Sequence, residues 1–282
     1  MISQSTLTKA RTIEKKHGTS YYLATLFFPK EIKEAVFILY AFVRIADEFV
    51  DNPLPDQDPE TELQNWKVLW EEAYVTGKSS RDILSATATI FKTYNIPFEL
   101  SIEFIDAMIQ DLTKARYKDY GELKSYMRGS AEVIGLMLTY IMGYSDPKAF
   151  VYAAKLGEAM QLTNFLRDIK EDYEERGRIY IPEDDMASYL VTEDMIQNKV
   201  ASQEFRHLMQ FEISRARKLF READLGICML SHKSRFAVRL ASHLYEKILD
   251  KIEEENYDIF KKRVRSTTLE KIWLISKTYV SH

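Results

Sequence analysis

Along most of this chain apolar residues recur every three to four positions, in long blocks parted by short polar or proline-containing breaks. That period belongs to a helix with one buried face, and it predicts helices at roughly 5–17, 20–28, 30–51, 59–76, 79–94, 98–115, 119–143, 147–175, 201–224 and 232–256, with a short one near 267–279. The stops fit the blocks. Pro29 precedes Lys30-Glu31 as a helix start requires, and Asn52-Pro53-Leu54-Pro55 ends the helix that follows. Asn95-Ile96-Pro97 separates two more, and Ser145-Asp146-Pro147 precedes the longest block. Only 9 Gly and 7 Pro punctuate 282 residues, which is sparse for an α/β or all-β chain. No repeat, low-complexity tract or linker interrupts the pattern. An all-α fold is expected, with residues 1–282 forming a single domain.

Composition narrows the field. A 46% hydrophobic and 29% charged content is ordinary for a globular protein with a large core. The 39 basic and 43 acidic residues leave a net charge of −4, so nothing global argues for a nucleic-acid partner. Cys228 is the single cysteine, which excludes an internal disulfide framework and a CxxC metal site and permits a reducing compartment. Residues 1–16 are polar and charged, without the apolar segment of a signal peptide. The longest apolar runs, near 35–43 and 133–144, fall short of the roughly 18–20 residues a spanning helix needs. A cytoplasmic location is the expectation.

The chemistry lies in two acidic pairs. On the predicted helix 30–51, Val36, Tyr40, Arg44, Asp47 and Asp51 share one stripe, aromatic above and charged below. The adjacent stripe of Phe37, Leu39, Phe42, Val43 and Val50 is a normal core surface. Taken alone, the charged stripe reads equally well as solvated surface with an Arg44–Asp47 pair. The helix 147–175 repeats the arrangement: Gly157, Gln161, Asn164, Asp168 and Asp172 form a polar line, with Arg167 one residue off it. Beyond it, Arg178 and Tyr180 occupy a turn and extended element placed to cover a site. Carboxylates beside a buried face are costly unless paired or bound to a cation. Two such helices face to face would form a cage of hard oxygen ligands, which suits Mg²⁺ holding a diphosphate.

Competing chemistries lack their residues. A di-iron carboxylate bundle needs Glu-x-x-His pairs, and neither acidic motif has one. The histidines at 17, 207, 232, 243 and 282 fall into no ligand spacing, and Cys228 has no persuasive histidine partner. No Gly-rich phosphate loop, nucleophile elbow or GxGxxG is present.

Tyr40-x-x-x-Arg44-x-x-Asp47-x-x-x-Asp51 resembles the first aspartate-rich motif of the squalene/phytoene synthase family, the head-to-head prenyl transferases, and Gln161-x-x-Asn164-x-x-Arg167-Asp168-x-x-x-Asp172 resembles its second. The segments 129–135, 177–182, 240–245 and 256–263 resemble others, so the likeness runs nearly end to end. Two departures stand out: Gly18 removes a hydroxyl from a phosphate-contacting segment, and Arg128 stands where a tyrosine is common, which puts the aromatic lining in doubt. All four aspartates survive, unlike the eroded motifs expected of a non-catalytic scaffold on the same fold. A head-to-tail synthase or cyclase fits less well, because the only Asp-Asp, Asp184-Asp185, is followed by Met-Ala-Ser.

The resemblance implies a helical bundle of the isoprenoid synthase type with a central cavity. It implies 1-1′ condensation of two geranylgeranyl diphosphates to phytoene through a cyclopropylcarbinyl diphosphate. The alternative is a C15-using sibling making dehydrosqualene, presqualene diphosphate or hydroxysqualene. Thr25 lies where a bulky residue would shorten a prenyl tunnel, which favours C20. By the same resemblance Asp47, Asp51, Asn164, Asp168 and Asp172 would hold Mg²⁺, with Mn²⁺ as a substitute and no NADPH. Ser20, Arg44, Arg167, Arg178 and Tyr180 would bind diphosphate. Tyr40, Gln161 and Tyr245 would complete the reacting site, with Tyr40, Tyr245 and Phe37 offering aromatic faces to a cation. Peripheral membrane contact is expected for handing off an insoluble product.

Overall fold

Local signals place the helix ends in the computed structural model, which describes residues 2–54 and 56–280. Ser3, Asp58, Asp119, Thr192 and Ser202 each accept a hydrogen bond from a backbone N–H of the following first turn. Gly77, Asn95 and Gly177 take the left-handed conformation that closes a helix. The helices are α1 (Gln4–His17), α2 (Thr19–Thr25), α3 (Lys30–Asp51), α4 (Pro59–Thr76), α5 (Asp82–Tyr94), α6 (Phe98–Asp111) and α7 (Tyr120–Met127). They continue with α8 (Val133–Met142), α9 (Ala149–Arg176), α10 (Glu183–Ser188), α11 (Glu193–Gln197), α12 (Gln203–Ile227), α13 (His232–Glu254) and α14 (Thr268–Val280). Among the described residues there is no strand, only an isolated bridge between Tyr144 and Leu230. The all-α expectation is met; Pro55 and His282 lie outside the described residues.

Three differences from the periodicity have physical causes. The helix predicted over 119–143 is divided by a turn of π-helix at Arg128–Glu132. There Gly129 lies against α6, and a Cβ on it would come 2.6 Å from the Ala107 Cβ and 2.7 Å from the Glu103 carbonyl oxygen. The second helix ends at Thr25 rather than near residue 28. The segment 183–197 holds α10 and α11, each too short to display a helical period.

Two cores flank the centre. One, around α3 to α6, packs Phe42 against Trp66 and Trp70, with the Trp70 indole N–H donating to Ser101 at 2.8 Å. The other, around α9, α12 and α13, includes Leu162, Leu166, Phe205, Leu240 and Leu244. Helices α3 and α9, which carry the acidic pairs, each contribute to the wall of the space between.

Candidate active site

A cavity of about 910 Å³ takes its walls from α1, α2, α3, α6, α7, α8, α9, α12 and α13, together with the π turn, the segment before α14 and Lys271 on α14. Its deep part is apolar, with Phe28, Val36, Leu39, Leu138 and Met142 on the wall. Thr25 lies there too, and its hydroxyl donates to Glu14 at 2.7 Å. Burial pushes the Glu14 carboxyl up to about 7 despite that hydrogen bond.

The other end is charged. Apolar faces of α3 (Ala35, Ile38, Phe42, Ala46) and α9 (Leu162, Phe165, Leu166, Ile169) anchor the helices in the cores, which turns the acidic stripes inward. Arg176 joins them. Its Nε lies 3.0 Å from an Asp51 oxygen and its Nη1 3.3 Å from an Asp172 oxygen, so one guanidinium spans the two aspartate helices. Arg44 pairs with Asp47 and Glu48 and stands 3.6 Å from Asp51. Asp168 is held by Arg167 (Nε to Oδ1, 2.7 Å) and by Arg263 from the C-terminal turn (2.9 and 2.8 Å).

The acids therefore titrate differently. Burial would raise the Asp168 carboxyl, but Arg167 and Arg263 hold it below its usual value. Burial and the neighbouring Asp168 charge push Asp172 up to about 8 against the pull of Arg176. Burial and Asp51 likewise push Asp47 upward; a third of its side chain is open, and the residue lines the cavity. At Asp47, Asp51 and Asp172 the neighbouring arginines offset burial only in part.

Where charged and apolar parts meet, three phenols gather. The Tyr21 ring lies 6.3 Å from Tyr40 and 5.5 Å, edge-on, from Tyr245, and its hydroxyl donates to the Met160 sulfur at 3.2 Å. Burial raises all three phenols above their ordinary value, so they stay neutral. Gly18 is fitted to Tyr40: a Cβ there would lie 2.7 Å from the Tyr40 hydroxyl. The missing hydroxyl at position 18 thus has a steric reason.

Most residues singled out from the sequence reach this cavity. Ser20, Tyr40, Arg44, Asp47, Asp51, Gln161, Asn164, Arg167, Asp168, Asp172, Tyr180 and Tyr245 all line it, and the Asn164 amide donates to Gln161 at 3.4 Å. Arg178 does not. Its guanidinium is buried against Asp111, 2.9 Å from the carboxylate and 2.6 Å from the backbone carbonyl, because a buried cation needs a buried anion. Tyr180 donates to the same carboxylate, and its ring stacks on Phe165 at 4.0 Å. Phe37 packs on Tyr22 in the core and is not on the wall. Arg128 points outward to Glu103 at 2.9 Å, so the aromatic lining, here Tyr126, is undisturbed. Arg176, Arg263 and Tyr21 were missed as site residues. Arg176 had a signal: it extends the stripe 161-164-168-172 by one turn.

The donor set suits a hard divalent cation: four carboxylates and two amides, with Asp47, Asp51 and Asp172 raised toward protonation. Among the described residues no three acidic or histidine side chains converge on one point, so the cage pictured from sequence is open. Openness fits Mg²⁺, which takes one or two carboxylates and completes its shell with water and substrate phosphate.

Residues 14–270 match the family described as squalene/phytoene synthase. A 15-cis-phytoene synthase of Synechococcus elongatus is 33% identical over 276 residues, covering 94% of this chain and 89% of that one. The chloroplastic phytoene synthase 1 of Zea mays is 35% identical over 255 residues; the match covers 88% of this chain and only 62% of the maize protein. Among solved structures, a ligand-bound dehydrosqualene synthase superposes with a TM-score of 0.92 at 25% identity, over 99% of this chain and 96% of that one. A squalene synthase of Alicyclobacillus acidocaldarius, 24% identical, shares the fold at a TM-score of 0.81 over 90% of this chain and 95% of its own.

Proposed function

The chain belongs to the squalene/phytoene synthase family, prenyltransferases acting on prenyl diphosphates, and from that premise we propose that it condenses two geranylgeranyl diphosphates head to head into phytoene. The observation that carries this reading is Arg176 in contact with both Asp51 and Asp172, which sets the acidic pairs together at one end of an apolar cavity. The phytoene synthases among its relatives support the product. Thr25 on the deep wall supports the longer substrate, since a small side chain leaves that end open. The whole chain is read as one domain, because walls of one cavity come from α1 and from the segment just before α14.

In this reading Asp47, Asp51, Asp168, Asp172 and Asn164 hold Mg²⁺, with Mn²⁺ as a substitute. The metal supplies positive charge to the departing diphosphate. Arg44, Arg167 and Arg263 share that charge, and Ser20 adds a hydroxyl at the same end. Breaking the C1–O bond of one substrate leaves an allylic cation. The double bond of the second attacks it, and loss of a proton closes the cyclopropylcarbinyl diphosphate. A second ionisation rearranges this to the 1-1′ chain, and a further proton loss ends the reaction without NADPH. Tyr21, Tyr40 and Tyr245 turn neutral aromatic surface toward the cations, and the apolar walls keep water away. Gln161 orients Asn164 through their hydrogen bond.

The reading is tested by incubating the purified protein with Mg²⁺ and either geranylgeranyl or farnesyl diphosphate, without NADPH, and extracting the product for mass spectrometry. A C40 hydrocarbon is expected from the C20 substrate. A C30 product formed only from farnesyl diphosphate would move the assignment to dehydrosqualene or a related C15 product, a reading the dehydrosqualene synthase neighbour keeps in view.

A further inference from the structure

Helix α14 is apolar on two opposite sides. Leu274 and Thr278 face inward and are buried. Leu269, Ile272, Trp273, Tyr279 and Val280 are between 54% and 87% exposed. At 100° per residue these five fall within an arc of about 120°, centred away from Leu274. Scattered exposed apolar residues are ordinary, but a stripe running the length of a helix marks a contact surface. It also continues onto the turn after α2. The Tyr279 ring meets Phe236 at 6.4 Å, Phe236 meets Phe27 at 5.1 Å, and Phe27 and Leu26 are themselves 41% and 38% exposed.

The charge around this stripe departs from that of the chain. Residues 261–280 carry six basic side chains and one acidic one, Glu270, in a protein of net charge −4. Glu270 is itself engaged by Lys251 at 2.6 Å, while Lys261, Lys262 and Arg263 pair with Asp258, Glu255 and Asp168, so the segment's excess of positive charge is smaller than the count. Arg265 and Lys271 belong both to this basic segment and to the lining of the cavity. The exposed stripe therefore begins at the cavity's edge.

We propose that the outer face of α14, with Leu26 and Phe27 in the turn after α2, docks on a lipid bilayer bearing anionic headgroups. The chemistry matches a bilayer surface on each count. Leucine and isoleucine suit the acyl boundary, Trp273 and Tyr279 have the amphipathic rings that sit at headgroup level, and the basic segment matches anionic lipid. A second copy of the chain fits worse, because a two-fold contact through α14 would bring two basic segments together. Among the described residues no helix is long and apolar enough to cross a membrane, so the contact lies along the surface. Docking there sets the cavity edge beside the phase into which prenyl chains partition. The surface stands apart from which diphosphate the enzyme uses.

The protein carries its own reporter. Of its three tryptophans, Trp66 and Trp70 are 2% and 0% exposed, whereas Trp273 is 57% exposed. With vesicles of phosphatidylcholine containing about 30% phosphatidylglycerol, tryptophan emission should shift to the blue, brominated lipid should quench it, and the protein should co-sediment. Vesicles of phosphatidylcholine alone, or about 0.5 M salt, should weaken all three signals. The exposed-site variant Leu269→Glu/Ile272→Glu should partition about tenfold less while keeping its circular dichroism and its turnover in detergent. Unchanged emission with protein left in the supernatant would overturn the proposal. So would a blue shift that grows with protein concentration in the absence of vesicles, which would assign the face to self-association. No substrate enters the binding assay, so its outcome is separate from that of the condensation assay.

Discussion

Replacing Arg176 by glutamine removes the guanidinium that bridges Asp51 and Asp172. Asp51 and Asp172 keep 22% and 16% of their side-chain surface exposed, so the contact lies between a surface ion pair, worth about 0–1 kcal/mol, and a fully buried one, whose breaking costs about 3–5. A cost of about 2 kcal/mol follows for the metal-free protein at pH 8, equivalent to about 4 °C in Tm for a chain of this size. At pH 6 the deficit should shrink, because Asp172, already raised to about 8, takes up a proton and relieves the repulsion. Arg176→Lys should recover part of the loss, since one ammonium retains the charge but cannot fork across both carboxylates. Differential scanning fluorimetry in EDTA, then with Mg²⁺ and inorganic diphosphate, reads all of this. Added cation and diphosphate should narrow the gap between Arg176→Gln and the parent. Equal Tm values in EDTA at pH 8, or a gap that Mg²⁺ and diphosphate leave untouched, would refute the idea that Arg176 stands in for a bound cation.

Asp51→Asn and Asp168→Asn should each lower turnover by at least about a thousandfold while leaving helical circular dichroism intact; near-normal activity in either sinks the metal assignment at that position. In Gly18→Ser the added Cβ presses on the Tyr40 hydroxyl, and kcat/KM should fall about tenfold, or about 1.4 kcal/mol. Adding Tyr40→Phe should restore part of that loss if the clash is its cause, and a double variant worse than either single one would show otherwise. The metal-free protein should lose stability as pH rises: a folded-state carboxyl raised above 3.8 contributes stability fully present below that pH and lost as pH passes about 8 for Asp172. Urea unfolding in EDTA across pH 5 to 8 should show that slope and Mg²⁺ should flatten it; a flat metal-free profile would mean the carboxyls are already paired.

The stripes were legible because a helical period repeats along one stretch of chain, and so were the acids, amides and Arg44 lying on them. Contacts between distant stretches were not. Arg263 reaches Asp168 across 95 residues, and Arg178 finds Asp111 across 67, an acid that no local pattern distinguishes. Arg178 was placed over the site from its neighbours in sequence, yet a buried carboxylate claims it. Arg176, one turn beyond Asp172, takes the bridging position instead. The break at 128–132 was not legible in a period that runs through 119–143, because its π geometry depends on the approach of Glu103 and Ala107 to Gly129. Helices α10 and α11 span six and five residues, too few for any period to show.

The charged end of the cavity is arranged so that its two ligands favour one another. A divalent cation entering alone must displace Arg176 or Arg44 from the acids and leave a guanidinium without its anion. A diphosphate entering alone draws Arg44, Arg167 and Arg263 away and leaves Asp47 and Asp168 without their guanidinium partners. When both enter, the pairs exchange partners: acids to metal, arginines to phosphate, and no buried charge is stranded. The coupling is reciprocal, so Mg²⁺ should tighten diphosphate by the same factor that diphosphate tightens Mg²⁺, within the roughly 5–150-fold usual for such linkage. Calorimetric titration of each into the protein, with and without the other, measures both factors. Independent binding would show that the arginine pairs are incidental to the site. Coupling that survives Arg176→Gln undiminished would place the exchange on Arg44, Arg167 and Arg263 alone.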